Sequence, residues 1–338
     1  MQQIVIPRTG PPDVLEIREA PDPTPGPGQV RIAVEAAGVN FADLMARLGQ
    51  YPDAPPLPAV MGYEVAGTID AVGEGVAVSR VGEPVVAMTR FGGYSTAVCV
   101  DSVQVARRPE GMDAATGAAI PVTGLTAWMM IEVMGRVRQG DRVLVHSAGG
   151  GVGLMALDLL KWRGATAIGT ASAGKHARLR ERGYDQLIDY RSEDFEAVLR
   201  DDEGLDLVLD AVGGESWARS MRLLRGGGRL ICFGLSSASA GSTPSVISRL
   251  KAVAGIPFLK FSPLNLINNN IGVMGVNMNR LWHEGPRVAS WLERLMGLWQ
   301  EGVLRPLVHA EVPFSSPAEA HRILHARENI GKVVYVVD

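Results

Sequence analysis

Residues 142–162 constrain this chain more than any other stretch. Arg142-Val143-Leu144-Val145-His146 is an apolar, β-rich run that opens directly into Ser147-Ala148-Gly149-Gly150-Gly151-Val152-Gly153 and then into an apolar helix, Leu154 to Trp162. Strand, glycine turn and helix in that order are the signature of a dinucleotide-binding βαβ unit. A pyrophosphate must approach the backbone at the helix N-terminus, where unpaired N–H groups and the dipole favour anions, and only small residues let it come close. Ala148, Gly150 and Gly153 take the three fingerprint positions, Ala148 in place of the first glycine, with Gly151 and Val152 completing the turn. Glycines also serve tight packing alone, so the flanking strand and helix carry the argument.

From Thr123 onward strand and helix alternate, which demands a parallel sheet covered by helices on both faces. Strands are predicted at 142–146, 166–170, 186–189, 205–210, 229–233 and 271–276. Six such units make a Rossmann, doubly wound sheet. The first third reads differently, as short β segments at 2–7, 29–36, 64–72, 84–88 and 97–100 between Gly and Pro punctuation, with one helix at 40–48. That texture argues for an irregular, barrel-like lobe. A helix at 286–301, a strand at 307–313, a further helix and a last strand at 332–337 return to this lobe. The expected division is therefore 1–122 with 279–338 as the β-rich domain and 123–278 as the nucleotide-binding domain.

A formal net charge of -3 provides no overall basic field, so nucleic acid is not an expected partner and a small molecule is. The two cysteines, Cys99 and Cys232, sit far apart in apolar strand-like sequence and read as core thiols, neither a disulfide framework nor a metal cluster. No charged leader precedes an apolar stretch and no run approaches the ~18 apolar residues of a membrane helix, so a cytoplasmic location is expected.

The end of the second Rossmann strand discriminates between nucleotides. An NAD-selective site places an acid there to bind the ribose hydroxyls. Here Thr170-Ala171-Ser172-Ala173-Gly174-Lys175 offers hydroxyls and an ammonium group suited to a 2′-phosphate, so NADPH is the expected cofactor. The competing reading has Ser172 capping the next helix and Lys175 solvated.

Pro25-Gly26-Pro27-Gly28-Gln29-Val30, Ala37-Gly38-Val39-Asn40-Phe41-Ala42-Asp43, Gly49-Gln50-Tyr51-Pro52, Gly62-Tyr63-Glu64-Val65-Ala66-Gly67 and the glycine turn occur in the order typical of one family. Over its whole length the chain resembles the zinc-independent quinone oxidoreductases of the medium-chain dehydrogenase/reductase superfamily. Gly169 to Ser172 with Lys175, Ile188-Asp189-Tyr190 and Asn329-Ile330-Gly331-Lys332-Val333 look most like the synaptic vesicle membrane protein homologues within it. The resemblance implies a GroES-like β-rich lobe beside the Rossmann domain. It also places Asn40 and Tyr63 where zinc-dependent relatives carry a cysteine and a histidine, and neither side chain is an adequate zinc ligand. No metal is expected.

Without a Lewis acid, an already electrophilic acceptor, a quinone or an α,β-unsaturated carbonyl, is the natural substrate for hydride from NADPH. The resemblance carries Asn40 and Tyr51 over as hydrogen-bond donors to the substrate oxygen or the nicotinamide amide. Their rival roles are helix capping for Asn40 and loop anchoring for Tyr51. Asp43 and Glu64 read as structural acceptors and His146 as a packed residue. Further cofactor contacts are expected from Thr126, ahead of a crossover helix, and from Tyr190, Val212, Phe233, Gly234, Val273, Gly275 and Asn329. The stretch 238–270 reads as a substrate lid or a contact surface, and the strand at 271–276 as an edge that pairs across a two-fold axis in a homodimer. A second reading keeps the fold but makes the chain a weakly catalytic, membrane-associated interaction protein that touches lipid through residues 256–261. A methyltransferase ranks last, since no acid ends the second strand.

Overall fold

The computed structural model describes residues 1–200, 203–236 and 261–338, so most of the stretch expected to form a lid or contact surface, including residues 256–260, lies outside the described residues. The chain divides into two units, Met1–Leu125 with Met278–Asp338, and Thr126–Asn277.

The first unit opens with β1 (Gln2–Ile6), β2 (Glu16–Glu19), β3 (Gln29–Val39), α1 (Phe41–Arg47), β4 (Ala59–Val60), β5 (Glu64–Val72), β6 (Pro84–Met88), β7 (Ala97–Asp101) and β8 (Val105–Arg107). β3 is its pivot. Val30, Ile32 and Val34 are buried while their neighbours are partly open, the period-two pattern of a half-buried strand. It pairs antiparallel with β5 along most of its length and with β7 through Gln29–Ala33. The strand was expected to stop at Ala36 but runs on to Val39, because the C-terminal strand Lys332–Val336 pairs with its second half, Val39 opposite Val333. Ile4, Ile32, Val65, Ile69, Val85 and Tyr335 are at the centre of the resulting core. β2 was missed because its four residues are all exposed and show no apolar alternation.

Two helices unseen in the sequence follow, α2 (Ala114–Ala118) and α3 (Pro121–Trp128), the second running into a π-helical turn, Met129–Gly135. The stretch is apolar on most sides, so it lacks the periodicity that marks an amphipathic helix. Thr126 accordingly lies inside α3 and is buried, rather than in a loop ahead of a helix.

The second unit contains β9 (Arg142–Val145), α4 (Gly151–Trp162), β10 (Thr166–Ala171), α5 (His176–Arg182), β11 (Gln186–Asp189), α6 (Phe195–Leu199), β12 (Leu205–Asp210), α7 (Glu215–Arg222), β13 (Leu224–Cys232) and β14 (Gly272–Gly275). All its ladders are parallel, in the order β11-β10-β9-β12-β13-β14, which is the doubly wound Rossmann arrangement. Leu144, Ile168, Ile188, Val208 and Leu230 pack together as its core. β13 begins five residues before the expected Arg229: Leu224 pairs with Leu205 and the register shifts past Gly226 to Gly228 before the regular ladder resumes. β14 ends the sheet, and before it the short helix Pro263–Asn269 exposes Leu264 and Ile267.

Returning to the first unit, the helix Gly285–Gln300 precedes β15 (Val308–Pro313), the helix Pro317–Ala326 and β16 (Lys332–Val336). β15 runs parallel to β16.

Candidate functional site

In the second unit the expected cofactor residues fall along one edge of the parallel sheet. The turn follows β9, Ser172 and Lys175 follow β10, Tyr190 follows β11, Val212 follows β12, Phe233 and Gly234 follow β13, and Val273 and Gly275 lie in β14. All but Val273, which is the second residue of β14, lie at the C-terminal strand ends, where doubly wound sheets bind ligands, and the strand order reverses beside β9.

The glycines do not merely precede the helix: α4 begins at Gly151, with Gly150 as its N-cap, instead of at the expected Leu154. The N–H groups of Gly151, Val152 and Gly153 therefore have no intrahelical acceptor, while Leu154 N–H already bonds to Gly150. A side chain at 153 would place its Cβ 2.6 Å from the Ala148 carbonyl oxygen and 2.7 Å from that of Ser147. The bare backbone is thus required for the turn to close against itself. Above Gly149 lies Lys175, whose Cδ and Nζ stand 3.2 and 3.9 Å from where a Cβ at 149 would be. Donors without intrahelical partners, a surface stripped of side chains and an ammonium laid across it fit a diphosphate with a further phosphate nearby. No acid ends β10; Ser172 stands there, and its hydroxyl caps nothing.

Thr170 is placed differently from its expected role. It is buried, and its hydroxyl lies 3.0 Å from His146 Nδ1. His146 Nε2 is in turn 3.2 Å from the Ser220 hydroxyl and 3.8 Å from Asp210. Burial pushes the His146 imidazole below its ordinary range, consistent with a packed neutral residue. Asp210 accepts from the N–H groups of Val212 and Gly213 at 2.7 and 3.0 Å and from the Ser216 hydroxyl at 2.7 Å, so this network shapes the loop that carries Val212. Tyr190 is exposed, with the Arg191 guanidinium over its ring at 6.0 Å from the ring centre. Cys232, pushed up to about 12 by burial, is an inert thiol.

In the first unit Asn40 is the N-cap of α1, as its rival reading held, but the side chain is used elsewhere. The capping hydrogen bond runs from Asn40 N–H to Asp43 at 2.8 Å. The side-chain amide donates to Glu64 at 2.9 Å, makes a long 3.4 Å contact with the Gly38 carbonyl and accepts from Lys332 Nζ at 2.5 Å. Lys332 also pairs with Glu64 at 2.6 Å, both side chains buried, and the second Glu64 oxygen accepts from Val122 N–H at 2.7 Å. Gly331, at φ +97, turns the chain so that Lys332 can enter; a Cβ there would sit 2.1 Å from the Leu307 carbonyl oxygen. Asn329 closes the same turn through its 2.7 Å bond to the Gly331 carbonyl. Asp43, fully buried, also takes Gly62 N–H at 3.2 Å, and desolvation pushes its carboxyl up to about 6. Asp43 and Glu64 are thus acceptors of structural hydrogen bonds, and Glu64 is neutralised by an ammonium.

Tyr51 is half-buried with its ring edge-on to Tyr63 at 6.2 Å, and Tyr63 packs on Phe91 at 5.6 Å. Burial, then Asp53, raises the Tyr51 phenol, which keeps it a proton-bearing donor. Among the described residues no three His, Cys, Asp or Glu side chains converge as metal ligands. Two participants were given no role in the sequence reading, Lys332 being quoted there only within the run 329–333. Lys332 is 292 residues from Asn40, and Tyr184, whose hydroxyl reaches the glycine turn, is in a loop without any motif.

Residues 26–133 match the family described as alcohol dehydrogenase GroES-like domain, and residues 182–334 the family described as zinc-binding dehydrogenase. The rat synaptic vesicle membrane protein VAT-1 homolog is 38% identical over 327 residues, which cover 95% of this chain and 80% of that protein. Among solved structures, Escherichia coli quinone oxidoreductase complexed with NADPH superposes with a TM-score of 0.85 at 27% identity, covering 99% of this chain and 100% of that one. CurK enoyl reductase does so with a TM-score of 0.84 at 27% identity, covering 100% and 99%. Sheet order, glycine turn and 38% identity over nearly the whole chain agree: the chain belongs to the medium-chain dehydrogenase/reductase superfamily, close to the VAT-1 homologues.

Proposed function

We propose that this protein is an NADPH-dependent reductase, acting without zinc, that delivers hydride to a quinone or an α,β-unsaturated carbonyl. The observation that carries the reading is the glycine turn with Lys175 laid across Gly149 and no acid at the end of β10. The turn's N–H groups hold the diphosphate, and Lys175 with Ser172 holds the 2′-phosphate; Thr170, turned inward to His146, supports them from below. Tyr190 stacks on the adenosine, and Thr126, Val212, Phe233, Gly234, Val273, Gly275 and Asn329 supply the remaining contacts. NADPH, when bound, supplies the hydride. Tyr51 donates a hydrogen bond to the acceptor oxygen as charge develops there. Asn40, its amide locked by Glu64 and Lys332, offers the N–H that makes the long contact to Gly38. The names of the quinone oxidoreductase and enoyl reductase neighbours support this acceptor class.

Replacing Lys175 by Ala tests the assignment. NADPH affinity should fall about 10–100-fold, the value of a hydrogen bond to a charged group, with NADH affinity unchanged. An unaltered NADPH-to-NADH preference would refute it. Oxidation of NADPH by a panel of quinones and enones tests the reaction.

A second reading, a membrane-associated interaction protein with little turnover, is favoured by the exposed Leu264 and Ile267 and by the vesicle-membrane name of the relatives. It expects NADPH binding, no turnover of that panel, and co-sedimentation with lipid vesicles. For the first reading we further infer a cytoplasmic homodimer paired along β14, which a monomeric mass in light scattering would contradict.

A further inference from the structure

Behind the glycine turn stands a buried tyrosine, Tyr184. Tyr184 follows Gly183, the left-handed C-cap of α5, and is buried with its ring against Gly169 of β10, where a Cβ would come within 2.9 Å of Tyr184 Cε1. Its hydroxyl donates 2.9 Å to the Gly153 carbonyl and lies 3.4 Å from the Ala148 carbonyl. These two carbonyls flank the turn, one at the first fingerprint position and one at the third. Their peptide planes carry the N–H groups of Gly149 and Leu154, the latter bonded to Gly150, so the tyrosine fixes the two ends of a segment in which the N–H groups of Gly151, Val152 and Gly153 have no intrahelical acceptor. Burial raises the phenol, so it stays a donor throughout the working pH range. One side chain thus ties both ends of the turn.

We infer that Tyr184 is a positioning residue for dinucleotide binding: its hydroxyl presets the 148–153 backbone so that the helix-end N–H groups meet the diphosphate without prior rearrangement. This rests on the nucleotide-binding reading above. Preorganised donors spare the ordering that a loose turn would have to undergo on binding.

Tyr184→Phe removes the oxygen and keeps the ring; Tyr184→Met, with apolar bulk and no oxygen, is a second variant should the first fail to fold. NADPH affinity by calorimetry should fall about 3–10-fold in either, the effect of one lost hydrogen bond, with KM for NADPH rising in step and kcat unchanged. Adenosine 2′-monophosphate, which lacks the diphosphate, should bind variant and wild type alike, an outcome that general loosening of the fold would not give. Wild-type NADPH affinity in the folded variants, or an equal loss for both ligands, overturns the role of Tyr184 while the nucleotide site stands. Failure of the wild type to bind NADPH overturns both.

Discussion

The glycine turn of the second unit and the Asn40 cluster of the first are built on opposite principles. At the turn the proposed binding groups belong to the backbone and the residues are small, down to a glycine at 153 whose Cβ would strike two carbonyl oxygens. Around Asn40 the backbone is incidental: a buried amide, carboxylate and ammonium hold one another, with Glu64 fully buried and Lys332 nearly so. Local sequence can specify the first, whereas the second needs three segments brought together by folding. The difference also fixes where each is fragile, the turn to added atoms and the cluster to lost charge.

The largest effect should come from the cluster. Lys332→Met leaves Glu64 buried without its cation, and breaking such a pair costs about 3–5 kcal/mol. Lys332→Arg, keeping the charge, should lose less than half of that. Urea unfolding at neutral pH measures both, and a wild-type midpoint for Lys332→Met would abolish the contrast between the two regions.

The same contrast explains what could be read in advance. The Rossmann order, the turn and most strands were legible because hydrophobic period and glycine placement act over a few residues. The strands at 64–72, 84–88, 186–189 and 205–210 were placed to the residue. Asn40 was recognised as a site candidate, but its link to Lys332 crosses nearly the whole chain and leaves no local pattern. Thr170 was assigned to the phosphate by position alone, and the inward turn of its hydroxyl depends on His146, which follows the neighbouring strand β9. Tyr184 was invisible for the same reason, as a tyrosine after a helix cap has no pattern to mark it.

Charge buried in the first unit should also give it a pH dependence. Arg47, buried, donates to His321 Nδ1 at 3.2 Å, and desolvation, then the guanidinium, pushes that imidazole down to about 3. The unfolded imidazole titrates near 6.5, so the contribution of His321 is intact above that pH and is lost progressively as pH falls toward 3. Between pH 7 and 5 the loss is about 2 kcal/mol. Asp43 acts in the opposite sense: raised to about 6, its carboxyl takes up a proton in the folded state first, and stability returns by about 1 kcal/mol over the same window. In His321→Gln the Asp43 and His146 contributions persist and cancel against wild type. The stability difference between the two proteins should therefore shift by about 2 kcal/mol from pH 7 to 5. A difference independent of pH would mean that His321 titrates in the fold as it does in the unfolded chain.

The smallest effect probes whether the turn is as free of side-chain constraint as it looks. Ala148 stands where the fingerprint has a glycine, and its methyl faces Gly169: a Cβ at 169 would lie 2.7 Å from Ala148 Cβ and 2.9 Å from Tyr184 Cε1. Gly169→Ala should cost about 1–3 kcal/mol by overpacking. Adding Ala148→Gly removes the nearer obstacle but not the tyrosine, so rescue should be partial, with a favourable coupling of about 0.5–1 kcal/mol in the double-mutant cycle. The methyl lost from the turn and the glycine on the strand are then one exchange of volume. Strict additivity would instead show that the two positions do not sense each other, and that the alanine in the fingerprint owes nothing to Gly169.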